Sequence, residues 1–274
     1  MSNRPYFETI VLSDIHIGSE YSKFKEAIAF LRAVDCKKLI LNGDIIDGWK
    51  LKKNSVKWKK SYTAFLKVLM KKMSKNGTGI IYVRGNHDDF LDQVAPFRFA
   101  QISIVKDYVH ESHGKRYFVL HGDVFDSITT HVRWLAKMGD VGYSILLWIN
   151  KHYNRYRLKK ERPYYSLSQT IKQKVKTAVS YISDFEKELV ALARNLHFDG
   201  IICGHIHHPA NVFYDGIHYL NSGDWVESLS ALVEKTDGTW EILYYEDFCK
   251  EFEPDMAEEM LLTETDESTF CSPR

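Results

Sequence analysis

No stretch of the sequence approaches the roughly 20 consecutive apolar residues that a bilayer-spanning helix needs. Any membrane contact is therefore expected to be peripheral. Residues 1–7 lack the apolar core of a secretory signal, and a cytoplasmic location is expected. Cysteine is scarce. Cys36, Cys203, Cys249 and Cys271 form no C-x-x-C pair. Cys203 lies in an apolar run and reads as a buried thiol, which suits a reducing compartment. Net charge is only +1 over 274 residues, so the chain carries no global signal for nucleic acid, and none is an expected partner. There is no internal repeat.

Charge is segregated, however. Lys50 to Lys75 holds ten Lys and no acid. Lys151 to Arg162 holds six basic residues and one acid, Glu161. Asp247 to Glu267 holds nine acids and one Lys, Lys250. The two basic segments read either as solvated helix faces or as a positive surface for a phosphate-bearing ligand or an anionic membrane.

Five short apolar runs share one grammar. Ile10-Val11-Leu12 precedes Ser13-Asp14-Ile15-His16, and Leu39-Ile40-Leu41 precedes Asn42-Gly43-Asp44. Ile80 to Val83 precedes Gly85-Asn86-His87-Asp88, Phe118 to Leu120 precedes His121-Gly122-Asp123, and Ile201 to Cys203 precedes Gly204-His205-Ile206-His207. Each run is too short for a helix and reads as a buried strand. Each ends in Gly, His, Asp or Asn, where α/β folds place their ligands. A lone Gly-Asp would read as a helix cap; five such ends in one chain do not arise independently.

Between these ends the apolar spacing predicts a helix from Ser22 to Val34. A second carries Tyr62, Phe65, Leu66, Leu69, Met70 and Met73 on one face and lysines on the other. This βαβαβ order implies parallel strands. Val105 to His110 and Arg116 to Leu120 read as a hairpin. Ser127 to Leu196 shows no strand pattern. Trp134 to Trp148 suggests one helix there, and Leu167 to Leu196 a long amphipathic one. The last third returns to strands, with hairpin turns at Asp215-Gly216 and Asp237-Gly238. The reading is an α/β core in two parts, 1–126 and 184–249, with a helical cap insertion at 127–183. Residues 250–274 follow as an acidic tail expected to be disordered.

Asp14, His16, Asp44, Asn86, His121, His205 and His207 offer oxygen and imidazole ligands without thiolate. That set suits Mn²⁺, Fe²⁺, Zn²⁺ or Co²⁺. Seven are too many for one open site, and fit two ions sharing a carboxylate, roughly 3.5–4 Å apart. His87 stands beside them, and an imidazole there can protonate a leaving oxygen.

Asp-x-His, Gly-Asp, Gly-Asn-His-Asp, His-Gly-Asp and Gly-His-x-His, in this order from Glu8 to Tyr245, resemble the five blocks of the calcineurin-like metallophosphoesterases. The resemblance implies a four-layer α/β/β/α sandwich holding two divalent ions, Mn²⁺ the first expectation. By its motifs, Asp14, His16 and His207 hold one ion, Asn86, His121 and His205 the other, and Asp44 bridges them. It makes His87 and Asp88 catalytic, with Asp88 orienting His87. The implied chemistry is in-line attack of hydroxide on phosphorus.

Asn221-Ser222-Gly223-Asp224-Trp225 and Phe90-Leu91 are similar to the branch containing the UDP-2,3-diacylglucosamine pyrophosphatases of lipid A synthesis. So is the helical insertion, which in that branch receives acyl chains. This implies a nucleotide-linked glycolipid substrate and attachment to the inner face of the cytoplasmic membrane. Trp134, Leu135, Met138, Trp148, Arg157 and Arg162 become the expected substrate contacts. One departure stands: the best-known enzymes of the branch have Arg at the position of His87, and the His form belongs to a sibling group. A soluble phosphodiesterase or phosphatase of another phosphoester, and a non-catalytic binding module, remain the alternatives. The insertion itself reads either as a lipid pocket or as a helical hairpin packed on the domain.

Overall fold

The computed structural model describes residues 4–52, 58–125 and 167–252, the last span with side chains from 181 onward. The expected cap helix around Trp134 to Trp148 and the tail beyond 252 lie outside the described residues. So do Trp134, Leu135, Met138, Trp148, Arg157 and Arg162. The chain divides into two compact units, 1–123 with 189–274 and 124–188. Both sheets lie in the first.

The βαβαβ start is present. β1 (Tyr6–Leu12), β2 (Asp35–Asn42) and β3 (Gly79–Val83) run parallel, joined through α1 (Phe24–Ala33) and, after a short α2 (Gly48–Lys52), α3 (Lys60–Asn76). β5 (Ile102–Val105) continues the sheet beside β3, and β4 (Phe97–Phe99) edges it. On the other side β11 (Ser230–Glu234) and β12 (Trp240–Tyr244) pair antiparallel onto β1. The second sheet has the order β6 (Tyr108–Ser112), β7 (Lys115–Val119), β8 (Gly200–Cys203), β10 (Ile217–Asn221) and β9 (Ala210–Tyr214). Val105 to His110 is not one strand, as the sequence suggests. It breaks at Lys106-Asp107, so Val105 ends β5 in the first sheet and Tyr108 opens β6 in the second.

The two faces of the parallel strands bury different things. Val11, Ile40 and Val83 point inward onto Tyr117, Val119, Ile202 and Leu220 of the second sheet. Ile10, Leu12, Leu39, Leu41 and Ile80 point outward onto α1 and α3, against Leu31, Phe65 and Leu69. Covered on both faces, the strand cannot alternate with polar residues, and Leu39-Ile40-Leu41 is an unbroken apolar run. On the far face of the second sheet Phe118 stacks on Phe198 (5.2 Å, 17°). Phe198 follows α4 (Leu167–Asn195), whose Leu189 and Ala193 are fully buried. The layering is α/β/β/α.

α3 departs from its expected face. Leu66 and Met70 are exposed, at 40% and 63%, whereas Val68 and Lys72 are buried. Lys72 donates its Nζ proton to the Val34 carbonyl (2.6 Å), so its aliphatic stem packs inward and its charge caps an otherwise unmet acceptor. A further helix, α5 (residues 245–252), runs past the point at which the tail was expected to begin. Among the described residues no helix is long and apolar enough to cross a membrane.

Candidate metal centre

The site is built where five strands end. β1 delivers Asp14 and His16, β2 delivers Asp44, and β3 delivers Asn86 and His87. From the second sheet β7 delivers His121, and β8 delivers His205 and His207. Five of these eight residues leave their strands through unusual backbone. Asp14, His16, Asp44, His205 and His207 all have left-handed φ, at 52°, 52°, 54°, 70° and 54°. Such residues cost of order 1–3 kcal/mol each and persist where the surroundings over-determine them. Here backbone bonds do so. The Asp14 N–H donates to the Gly43 carbonyl (3.0 Å), His16 N–H to Asp44 (2.8 Å) and Trp225 N–H to Asp14 (3.1 Å).

The glycines of the motifs are explained by closeness. A Cβ on Gly43, itself at φ 81°, would lie 2.3 Å from His121 Nδ1. A Cβ on Gly85 would lie 2.3 Å from Asp44 Oδ1 and 2.5 Å from its amide nitrogen. Any side chain at either position would push a candidate ligand away.

Asp44 sits at the centre. Its Oδ2 lies 3.4 Å from His121 Nε2, 3.8 Å from His16 Nε2 and 3.9 Å from His87 Nε2, while its Oδ1 accepts the His87 N–H (2.8 Å). Asp14 Oδ2 accepts the His205 N–H (3.0 Å). Asp14 Oδ1 lies 3.2 Å from His207 Nε2 and 3.8 Å from His16 Nε2, yet it is buried with no hydrogen bond. His205 Nδ1 and His121 Nε2 face each other at 3.3 Å. Among the described residues three groups emerge with ligand atoms within 4.8 Å of one another: Asp14, His16 and His207; His16, Asp44 and His87; Asp44, His121 and His205. Carboxylate oxygens and imidazole nitrogens that converge at 3–4 Å, with the buried Asp14 Oδ1 left without a hydrogen bond, suit a cation between them. The His121 Nδ1–H donates to the Asn42 carbonyl (2.9 Å), leaving Nε2 as its ligand atom. Asn86, half-buried, follows Gly85 in the β3 loop.

Electrostatics agree. Burial alone would raise both carboxyls. The charges of His207 and His121 outweigh it at Asp14, and those of His121 and His16 at Asp44, and both are held well below the usual range. Against burial, Asp44 and Asp14 push His121 up to about 10, and Asp14 pushes His207 up to about 9. Burial pushes His16 down to about 4. A metal needs neutral imidazole, so it would displace the protons that Asp44 and Asp14 hold on His121 and His207. At pH 7 metal binding should release about two protons per chain, and affinity should rise with pH toward 9–10. The sign for stability is the reverse. Raised histidine pKa values stabilise the metal-free fold fully below about 6.5, a contribution lost as pH rises through about 9 and 10. Titration calorimetry in buffers of different ionisation enthalpy measures the protons; metal uptake at pH 7 without proton release would contradict this electrostatic picture.

Asp88 is not beside the His87 ring. Wholly buried, it accepts the N–H groups of Ile45 (3.2 Å) and Ile46 (3.0 Å) and the Tyr82 hydroxyl (3.1 Å). It fixes the loop behind Asp44, and burial, with the Asp44 charge adding, pushes it up to about 7. The carboxylate that holds His87 is Asp47, whose Oδ1 lies 3.2 Å from His87 Nδ1 and also accepts the Lys50 N–H (3.0 Å) at the start of α2. In the sequence Asp47 looks only like a helix cap, and it is one. Trp49 covers the other side of the ring at 4.1 Å. The segment Asn221 to Trp225 braces the site from beneath. Asn221 Nδ2 donates to the Gly204 carbonyl (3.0 Å), and the Ser13 hydroxyl meets that of Ser222 (2.7 Å). Asp123 of the His-Gly-Asp block pairs with Arg84.

Among solved structures the chain is similar to an archaeal phosphodiesterase (12% identity, 86% of this chain and 98% of the other, TM-score 0.42). It is similar to a Thermotoga maritima protein (15%, 86% and 98%, TM-score 0.40). It is also similar to Entamoeba histolytica Vps29 with zinc (11%, 86% and 98%, TM-score 0.36). These overlaps are too loose to bear on substrate. No curated protein matches the chain. The family model of the calcineurin-like phosphoesterases matches residues 7–209, a span that contains all five strand ends. With its ordered motifs and its two-sheet sandwich, the chain belongs to the calcineurin-like phosphoesterases.

Proposed function

We propose that this metal-dependent phosphoester hydrolase holds two divalent cations at the seam of its sheets and cleaves the pyrophosphate of UDP-2,3-diacylglucosamine. The products are UMP and 2,3-diacylglucosamine 1-phosphate. The observation that carries the two-cation reading is Asp44 Oδ2, within 3.4–3.9 Å of three imidazole nitrogens drawn from three different loops. Asp14, His16 and His207 hold one cation, Asn86, His121 and His205 the other, and Asp44 serves both. The oxygen and nitrogen donor set suits Mn²⁺ first, with Fe²⁺, Zn²⁺ or Co²⁺ as substitutes. Bound there, the pair supplies charge neutralisation for phosphoryl oxygens and lowers the pKa of water. The protein's own part is His87, whose Nε2 donates a hydrogen bond to a phosphate leaving oxygen, and a full proton to a more basic one, while Asp47 holds Nδ1.

The lipid substrate rests on the Asn221 to Trp225 segment, on Phe90-Leu91 and on the apolar insertion. Trp134, Leu135, Met138 and Trp148 receive the acyl chains, and Arg157 and Arg162 meet phosphate or an anionic membrane surface. Each buried methylene is worth about 0.8 kcal/mol, so the lipid should outrun UDP-N-acetylglucosamine by orders of magnitude. Pure protein with Mn²⁺ and either compound, followed by UMP release, tests this. The joint change Trp134→Asp and Leu135→Asp should remove turnover of the lipid. Equal turnover of the two compounds would discard the lipid and leave the second reading, a soluble phosphodiesterase. That reading is favoured by one residue, His87 in place of the branch's Arg.

A further inference from the structure

The outer face of α3 carries Lys59, Lys60, Lys67, Lys71 and Lys75, all exposed. Among the described residues none of the five has a carboxylate partner. Between them lie Leu66 and Met70, 40% and 63% exposed, and Trp58, 44% exposed, precedes them. Lys67, Lys71 and Lys75 are spaced i, i+4, i+8, one continuous stripe beside the Leu66–Met70 stripe. The first turn of the helix has no acid, although a helix N-terminus favours negative charge and Lys59 and Lys60 oppose it. This surface calls for an acidic segment with apolar residues interleaved.

The chain contains one. Residues 253–274 hold seven acids against a single base, Arg274, with Met256, Met260, Leu261 and Leu262 among them. Their starting point is near. Phe248 of α5 meets Phe30 of α1 (5.1 Å), and Phe24 of α1 meets Tyr62 of α3 (5.2 Å), all on one side of the seven-stranded sheet. Two helix spacings separate α5 from α3, about 20 Å. Twenty-two residues can span about 70 Å, which sets the effective concentration of the segment near millimolar.

We propose that the acidic segment 253–274 docks on the lysine face of α3 and masks it from other polyanions. The proposal is independent of the metal centre. Carbodiimide crosslinking of the full chain at low salt, read by mass spectrometry, should join Lys67, Lys71 or Lys75 to Glu258, Glu259 or Glu264 within one chain. The joint change Lys67→Glu, Lys71→Glu and Lys75→Glu should abolish those links. A full-length variant with the tail acids changed to their amides should bind phosphatidylserine-containing vesicles about tenfold or more tighter than the parent, since each freed lysine adds its attraction to the anionic surface. Absence of these crosslinks would overturn the proposal. So would links found only between chains, which assign the face to a second copy, or equal vesicle binding by parent and amide variant, which assigns it to lipid.

Discussion

Asp44→Ala is expected to lose both ions and all hydrolysis above background. Its Oδ2 is the atom that faces His121, His16 and His87 together, and its Oδ1 fixes the β3 loop by accepting the His87 N–H. Removing it deletes a ligand from both positions. It also deletes the charge that holds His121 up at about 10. The side chain is buried at the end of its strand, not within the packed core, so the fold should survive. Metal analysis of folded variant checks the result. One ion retained at full strength would mean that Asp44 serves a single cation; two retained would remove it from the site.

His87→Ala is expected to keep its metals and to lose rate. General acid catalysis is typically worth about 10²–10⁴-fold. The full loss should appear with alkoxide leaving groups, and little of it with p-nitrophenolate, which leaves without a proton. The geometry makes this a sharp test, because His87 Nε2 also lies within ligand distance of Asp44 and His16. If His87 were a ligand, the variant would lose metal and both leaving groups would suffer alike. Asp47→Asn should reproduce part of the rate loss, since Asp47 holds the other ring nitrogen.

The sequence shows where strands end because a strand buried on both faces must be apolar throughout, as Leu39-Ile40-Leu41 is, and must stop abruptly when it reaches a polar site. The candidate ligands, Asp14 to His207, follow from that. What it hides is the partner of each side chain. Asp88 stands next to His87 and reads as its natural support, yet the turn after Asn86 sends the two side chains apart and Asp47 takes the role. Lys72 belongs to a lysine-rich face by spacing and to the core by packing, because its stem is apolar and one carbonyl, that of Val34, awaits its charge. The break at Lys106-Asp107, which passes the chain from one sheet to the other, has no stronger signal than two charged residues.

The ligand loops also set an order in time. Asp14 and His205, joined by a hydrogen bond from amide to carboxylate, are 191 positions apart. At about 5–20 residues per second of synthesis, the last ligands follow the first by roughly ten to forty seconds. Until β8 emerges, the chain presents Asp14, His16, Asp44, Asn86 and His121 as an incomplete set. The centre cannot close before β8 has joined β7, so a loaded metal pair would report that the two sheets have met.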